Sequence, residues 1–255
     1  MFISEKLVFI ELHKTGCTHI RNLLNELLPG EFVGKHNQVS LDVSKKERFF
    51  LGSIRCPWEW YVSLWAFGCD KKGAVFNKVT AQDQLRGLEK WTRVYQSSED
   101  VSAFREWLFM MNDKQYWHDF GEGFGGSPIS QFAGLLTYRY MTLFCCKDHE
   151  SVNLAKLDSF DSLAEYARER CFVDHFIRNE KLEADFFKVL ELIGINVSIE
   201  KRAELSLRPK TNLSSRAHDA HYYYDSDTEK LVFERERFIV EKFGYVKPSL
   251  RLNAQ

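Results

Sequence analysis

One stretch near the beginning of the chain, residues 7–28, limits the fold more than any other. It opens with an apolar, β-rich run at residues 7–10 and passes through a single glycine, Gly16. Apolar residues at helical spacing follow, until Pro29 and Gly30 end the pattern. The stretch predicts a strand, a tight loop and a helix. Such a turn directs successive backbone N–H groups and the positive end of a helix towards one point, which suits a phosphate or a sulfate.

The side chains of this loop supply further groups for an anion. Lys14 adds a positive charge and precedes the glycine, whereas a Walker A loop carries its lysine after the glycines. The predicted anion-binding residues are Lys14, Thr15, Gly16, Cys17, Thr18 and His19. A strand–glycine–helix turn also occurs in ordinary α/β packing, so this loop alone does not decide between binding and packing.

A second polar element follows the next apolar run. Residues 49–54 predict a buried strand, Arg55 ends it, and Pro57 suits the first position of a helix. Arg55 supplies a fork of donors and Ser63, inside that helix, supplies a hydroxyl, so both can reach one phosphate. The alternative is a strand-terminal arginine paired with an acid, and a serine in the core.

Together these two elements resemble the 5′-phosphosulfate loop and the 3′-phosphate motif of sulfotransferases that use 3′-phosphoadenosine 5′-phosphosulfate (PAPS). Cys56 stands where that family usually has Asp or Asn, and His13 where it usually has Pro. Residues 176–186 resemble the strand-to-helix turn of its carbohydrate-type and bacterial members, and residues from 211 to 216 begin a stretch similar to their C-terminal pattern. The resemblance covers both ends of the chain and leaves residues 68–130 unmatched.

Strands that alternate with helices predict an α/β fold with a central parallel sheet. The resemblance implies a P-loop-like, three-layer version of it, in which helices flank the central parallel β-sheet. It also implies a single domain over residues 1–255, with an acceptor-side insertion at about 68–130. Elsewhere we expect a strand at 172–178, a flexible loop at 121–128 and one last helix from about 227 to 243.

The activity implied by the resemblance is transfer of a sulfuryl group from PAPS to a hydroxyl or amine of an acceptor. The product would be 3′-phosphoadenosine 5′-phosphate (PAP), and no metal is required. Lys14 would act on the sulfate oxygens. His36, between the two phosphate motifs, would be the base, since its ordinary pKa suits that role; His13 and Glu11 are alternatives. A polar C-terminal segment would close over the nucleotide with Asn212, Ser214 and Arg216.

Composition limits the partners of the chain. Lysine and arginine (35) nearly balance aspartate and glutamate (36), so no overall positive field draws it to nucleic acid. A glycan, a glycolipid or a small alcohol is the expected acceptor. Six cysteines without a C-x-x-C pair predict reduced, mostly buried thiols. No apolar stretch reaches transmembrane length, so a soluble, cytoplasmic protein is expected.

Two other functions stay open on the sequence. A nucleotide-dependent kinase would have a similar fold, but the chain lacks a Walker A loop and a convincing strand-terminal aspartate for magnesium. The non-enzyme alternative is a nucleotide-binding protein of the same fold that has lost turnover. The intact Lys14 and Arg55 argue against it, whereas Cys56 and His13 depart from the family pattern.

Overall fold

A computed structural model describes the chain over residues 1–44, 47–81, 87–148, 150–207, 216 and 218–249. Within these residues the fold is α/β, a five-stranded mixed β-sheet flanked by helices, so the predicted class is confirmed. The chain divides into two compact units. The first comprises Met1–Arg55, Arg139–Val152 and Glu165–Leu213, and the second Cys56–Tyr138, Asn153–Ala164 and Ser214–Gln255. The single domain with an insertion stays a prediction.

The sheet belongs to the first unit. Its strands are β1 (Phe2–Ser4), β2 (Leu7–Phe9), β3 (Gly30–Phe32), β4 (Phe49–Ile54) and β5 (His175–Arg178). They lie in the order β3-β1-β2-β4-β5. β2, β4 and β5 are parallel to one another, whereas β1 runs antiparallel to both β2 and β3. The prediction of parallel strands therefore holds for β2, β4 and β5, and the two antiparallel strands make the sheet mixed.

Helices account for most of the remaining regular structure. In chain order they are α1 (Cys17–Leu27), α2 (Leu41–Ser44), α3 (Pro57–Cys69), α4 (Ala74–Val79), α5 (Leu88–Val94), α6 (Val101–Asn112), α7 (Leu135–Phe144), α8 (Phe160–Arg170), α9 (Leu182–Leu192), α10 (Ile199–Ser206), α11 (Ala220–Tyr223), α12 (Ser226–Arg235) and α13 (Arg237–Phe243). Short 3₁₀ segments occur at Lys114–Phe120, Phe124–Gly126, Pro128–Gln131, Glu150–Lys156 and Asn179–Lys181.

The core of the first unit explains why α1 and α9 form where they do. The apolar positions of α1 that recur at helical spacing join those of α9 and the strands in one cluster. Burial of each such side chain contributes about 1.5–3 kcal/mol, which outweighs the modest helix propensity of β-branched and aromatic residues. Members of this cluster include Leu7, Phe9, Ile20, Leu23, Leu24, Leu51, Ile177, Leu182, Phe186 and Leu190.

The second unit has an aromatic core built on α3. This helix begins at Pro57, as predicted, and is buried on nearly all sides. The indole N–H of Trp65, on this helix, donates a hydrogen bond to the carbonyl of Val94 at 2.7 Å. The tryptophans and tyrosines of the unmatched stretch pack in the same unit and are buried, namely Trp91, Tyr95, Trp107, Tyr116 and Trp117.

Local structure departs from the sequence pattern at three places. The strand β3 was not expected at residues 30–32; it forms because its backbone pairs with β1, although all three of its residues are exposed. Residues 121–128 contain 3₁₀ turns rather than an irregular loop. The strand expected at 172–178 is confirmed only from His175 onward.

The expected last helix, 227–243, is two helices that meet at Glu236. The carboxylate of Glu236 is fully buried and accepts four hydrogen bonds in the second unit. One donor is the hydroxyl of Tyr61 at 2.6 Å, and the others belong to Leu136 and Thr137 in the first turn of α7. Burial raises the pKa of this carboxyl, and the hydrogen bonds oppose that rise. The helix break thus places an acidic cap on another helix.

Candidate functional site

The loop between β2 and α1 has left-handed backbone at two positions. Lys14 has a φ of 61° and Gly16 a φ of 82°, both in the left-handed region, and α1 begins at the next residue, Cys17. A lysine rarely adopts this conformation, so the surrounding structure must hold it there. When right-handed and left-handed residues alternate along a loop, their successive backbone N–H groups point to one side and form a concave site for an anion.

Hydrogen bonds fix this loop to the end of β4. Thr15 is buried, its hydroxyl donates to the carbonyl of Leu12 at 2.7 Å, and it lies 2.6 Å from the hydroxyl of Ser53. The guanidinium of Arg55 donates to the carbonyl of Lys14 at 3.3 Å. Because the hydroxyl proton of Thr15 points to the carbonyl of Leu12, it is not available to an anion. The group that Thr15 can offer to an anion is its backbone N–H.

The turn after β5 packs directly against Gly16. A Cβ atom at position 16 would lie 2.6 Å from Cδ1 of Leu182 and 2.7 Å from Nδ2 of Asn179, so any other residue would displace these side chains and would also be strained at this φ. The same turn is held by Asp185, which accepts a hydrogen bond from the backbone N–H of Arg178 at 2.9 Å. The stretches that follow β2, β4 and β5 thus meet at the carboxyl ends of three parallel strands, where open α/β sheets bind their ligands.

The first turn of α1 holds three of the predicted anion-binding residues, Cys17, Thr18 and His19. Burial, with the nearby charge of Glu11, raises the pKa of the Cys17 thiol to about 11, so this thiol is protonated at neutral pH. His19 is buried, and its Nε2 lies 3.7 Å from the carboxylate of Glu183 on α9. The imidazole of His19 thus faces an acid. Thr18 is half-buried.

Two histidines lie beside the loop in a stacked pair. The ring centroids of His13 and His36 are 3.5 Å apart and the rings are inclined by 16°. Nδ1 of His36 lies 2.9 Å from the carbonyl oxygen of Glu11. Since a carbonyl only accepts, Nδ1 carries the proton and Nε2 carries the lone pair. His36 has a φ of 57°, so its backbone is also held in the left-handed region.

Burial, with a smaller contribution from nearby positive charge, favours the neutral form of both imidazoles. Burial lowers the pKa of His36, and the charge of Arg139 adds to this effect, while the hydrogen bond to Glu11 opposes it. Burial lowers the pKa of His13 far below its usual range, and Arg139, His36 and Lys14 contribute in the same direction. Neutral imidazole is the form that can accept a proton.

Arg139 is the residue of this site that the motifs did not indicate. It is buried on α7 in the part that belongs to the first unit. The one available signal was an arginine within an otherwise apolar helical run, because burying a charge is costly unless it is compensated. The first unit therefore brings together Lys14, Thr15, Gly16, Ser53, Arg55, His13, His36 and Arg139.

The other predicted nucleotide residues belong to the second unit or lie outside the described ranges. Ser63 is buried on α3. Cys56, at the N-cap of that helix, makes no side-chain capping bond, as expected of a poorer cap. The guanidinium of Arg216 donates to the carboxylate of Glu59, also on α3, at 2.6 Å. Asn212 and Ser214 lie outside the described residues.

Comparison of the chain with protein-family models, with curated proteins and with solved structures gives no match.

Among the residues that the structure describes, no helix is both long enough and apolar enough to cross a membrane. The same residues contain no group of three or more histidine, cysteine or acidic side chains suited to a metal ion. All six cysteines fall in the described ranges and are thiols, four of them buried.

Proposed function

We propose that the chain is a PAPS-dependent sulfotransferase with a P-loop-like fold. The observation that carries this proposal is the meeting of three motif stretches at the carboxyl ends of β2, β4 and β5. Each stretch was selected from the sequence for a different reason, and long-range contacts join them. A coincidence of ordinary packing would not require left-handed backbone at both Lys14 and Gly16.

The roles of the residues follow from their chemistry. Backbone N–H groups of the loop around Gly16 and the ammonium of Lys14 would hold the phosphosulfate, whose leaving oxygen becomes more negative during transfer. Arg55, at the end of β4, would hold the 3′-phosphate through its fork of donors. The donor itself supplies the activated sulfuryl group. A cytoplasmic location fits an enzyme whose cysteines are all thiols.

His36 is the proposed base. Its imidazole is neutral, and its Nε2 carries the lone pair because Nδ1 donates to the carbonyl of Glu11. This assignment also separates the roles of the two histidines. His13 directly precedes Lys14, on the donor side of the loop, whereas His36 comes from a different segment, between β3 and α2.

Sulfotransfer is favoured over phosphoryl transfer by the residues at the strand ends. P-loop kinases hold magnesium with an aspartate near the end of a neighbouring strand. Here β4 is followed by Arg55, and β5 ends at Arg178. Positive side chains at both places suit a donor with several negative charges and do not provide magnesium ligands.

Titration calorimetry with PAP and with AMP tests the proposal. Two separate anion sites predict that PAP binds more tightly than AMP by about 1.5–3 kcal/mol, because AMP lacks the 3′-phosphate clamp. Arg55→Ala should remove this preference, while Lys6→Ala, at an exposed lysine of the same unit, should keep it. Equal affinity for the two nucleotides would contradict the two-site assignment.

Turnover of labelled PAPS is the second arm of the test. Transfer of label to an acceptor from a panel of glycans, glycolipids and alcohols would support the sulfotransferase assignment. Transfer of phosphate from ATP, with no preference for PAP, would favour a kinase. PAP binding without transfer to any acceptor would favour the non-catalytic alternative.

A further inference from the structure

The stacked pair of histidines gives His13 a role that the motif resemblance does not supply. The two rings come from different segments, His13 from the loop after β2 and His36 from the segment after β3. At 3.5 Å between centroids and 16° between planes, they are in face-to-face contact. One face of the His36 ring is therefore covered by His13, and its edge at Nδ1 is held by the carbonyl of Glu11.

These two contacts restrict different motions of the His36 ring. The hydrogen bond to Glu11 opposes a flip that would exchange Nδ1 with the carbon on the other side, and it selects the tautomer with the proton on Nδ1. The bond alone does not stop the ring from tilting out of line with the carbonyl oxygen, and a ring that tilts away loses the bond and with it the preference for one tautomer. Contact with the face of His13 removes that freedom. A base held in this way loses less entropy when the acceptor hydroxyl arrives.

We propose that His13 is a positioning residue for the base His36, and that it acts by ring contact rather than by proton transfer. This inference rests on the proposed sulfotransferase function. In the step concerned, Nε2 of His36 takes the hydroxyl proton of the acceptor while the acceptor oxygen bonds to sulfur. The sulfur–oxygen bond to the 5′-phosphate breaks, PAP leaves with that electron pair, and His36 then releases the proton to water.

The charges around His36 agree with a neutral partner. The groups that act on it are Glu11, through its carbonyl and its carboxylate, Arg139 on α7, and the amino group of Met1. Once His36 is protonated, a second charged imidazole at 3.5 Å would oppose it strongly. Burial and the neighbouring cations keep His13 neutral, so it can support the ring in both protonation states.

Two variants separate ring contact from proton transfer. His13→Phe keeps a flat ring without a titratable nitrogen, and His13→Ala removes the ring. We expect His13→Phe to retain most of the turnover rate and His13→Ala to lower kcat by about 10–100-fold, with the KM for PAPS little changed. The acidic limb of the rate–pH profile should move to higher pH in His13→Ala, because the His36 ring becomes more hydrated.

The closing experiment needs no acceptor. Two-bond ¹H–¹⁵N correlation spectra of the full chain, without nucleotide, report which imidazole nitrogen carries the proton. Wild type and His13→Phe should show His36 as the single Nδ1–H form, and His13→Ala should show a mixture of tautomers. Circular dichroism checks that each variant is folded; if His13→Ala does not fold, His13→Ser replaces it.

The outcomes distinguish this inference from the proposed function. A single Nδ1–H form of His36 in the folded variant without the ring would overturn the positioning role, whatever the activity. Loss of PAP affinity in His13→Ala with an unchanged tautomer would instead make His13 a donor-side residue. Equal binding of PAP and AMP by wild type would refute the sulfotransferase assignment and leave the tautomer result intact.

Discussion

Gly16→Ala tests the geometry of the loop at the residue where left-handed backbone and close packing coincide. The φ of 82° at this position is unfavourable for any residue with a Cβ atom. The new methyl group would also lie 2.6 Å from Leu182 and 2.7 Å from Asn179, well inside van der Waals contact. Both effects act on the folded state, so we expect a loss of stability together with a displaced loop.

The magnitude can be divided between the two causes. A left-handed residue other than glycine costs about 1–2 kcal/mol, and an extra methyl group in a packed site costs about 1–3 kcal/mol. The total expected loss is therefore about 2–5 kcal/mol. Gly194→Ala is a matched control in the same unit, because Gly194 has a φ of 72° and open space around its missing Cβ. The control should lose only the first part.

Urea unfolding of both variants, followed by circular dichroism, measures the difference. The contribution of the contacts with Leu182 and Asn179 is the excess loss of Gly16→Ala over Gly194→Ala, about 1–3 kcal/mol. PAP titration adds a functional readout, and only Gly16→Ala should weaken binding, by about 10-fold or more, because it displaces the N–H groups of the loop. Equal losses of stability in the two variants, with PAP affinity unchanged, would refute this reasoning.

Three further predictions concern single side chains. Lys14→Ala should lower turnover about 10²–10³-fold, with a smaller effect on PAP affinity, whereas the exposed Lys6→Ala should change neither; near-normal turnover would make Lys14 a purely structural residue. Glu236→Gln should reduce the free energy of unfolding by about 2–4 kcal/mol, because the amide NH₂ of glutamine would face the backbone N–H groups of α7, which are also donors. Urea unfolding should show a smaller loss for Tyr61→Phe, which removes only the hydrogen bond from the Tyr61 hydroxyl. Burial lowers the pKa of His13, so below pH 6.5 the folded protein binds fewer protons than the unfolded chain. The free energy of unfolding should therefore fall as the pH is lowered. Urea unfolding at pH 7.5, 6 and 5 should show a smaller fall in this free energy for His13→Phe than for wild type.

Local pattern in the sequence was enough for the elements that frame the candidate site. The β2–loop–α1 stretch and the boundary between β4 and α3 at Pro57 were predicted correctly. Their signals are short in range: apolar spacing, a glycine and a proline at positions with defined backbone requirements. The α/β class follows from the same pattern.

Long-range contacts decided what the sequence did not show. β3 exists because β1 offers a backbone to pair with, and the helix break at Glu236 exists because α7 and Tyr61 offer donors to a buried carboxylate. Because these partners are distant in the sequence, no local pattern predicts either feature. For the same reason the sequence did not indicate where the arginine of α7 lies in the fold.

The candidate site divides in the same way. Residue types and spacing selected Lys14, Gly16 and Arg55, because anion chemistry needs a cation and a permissive backbone at the ends of strands. Only the folded chain stacks His13 on His36, places the charge of Arg139 where it acts on both rings, and packs Leu182 against Gly16. These are contacts between segments separated by many residues, and their geometry is fixed by the packing of the sheet and its helices rather than by any one segment.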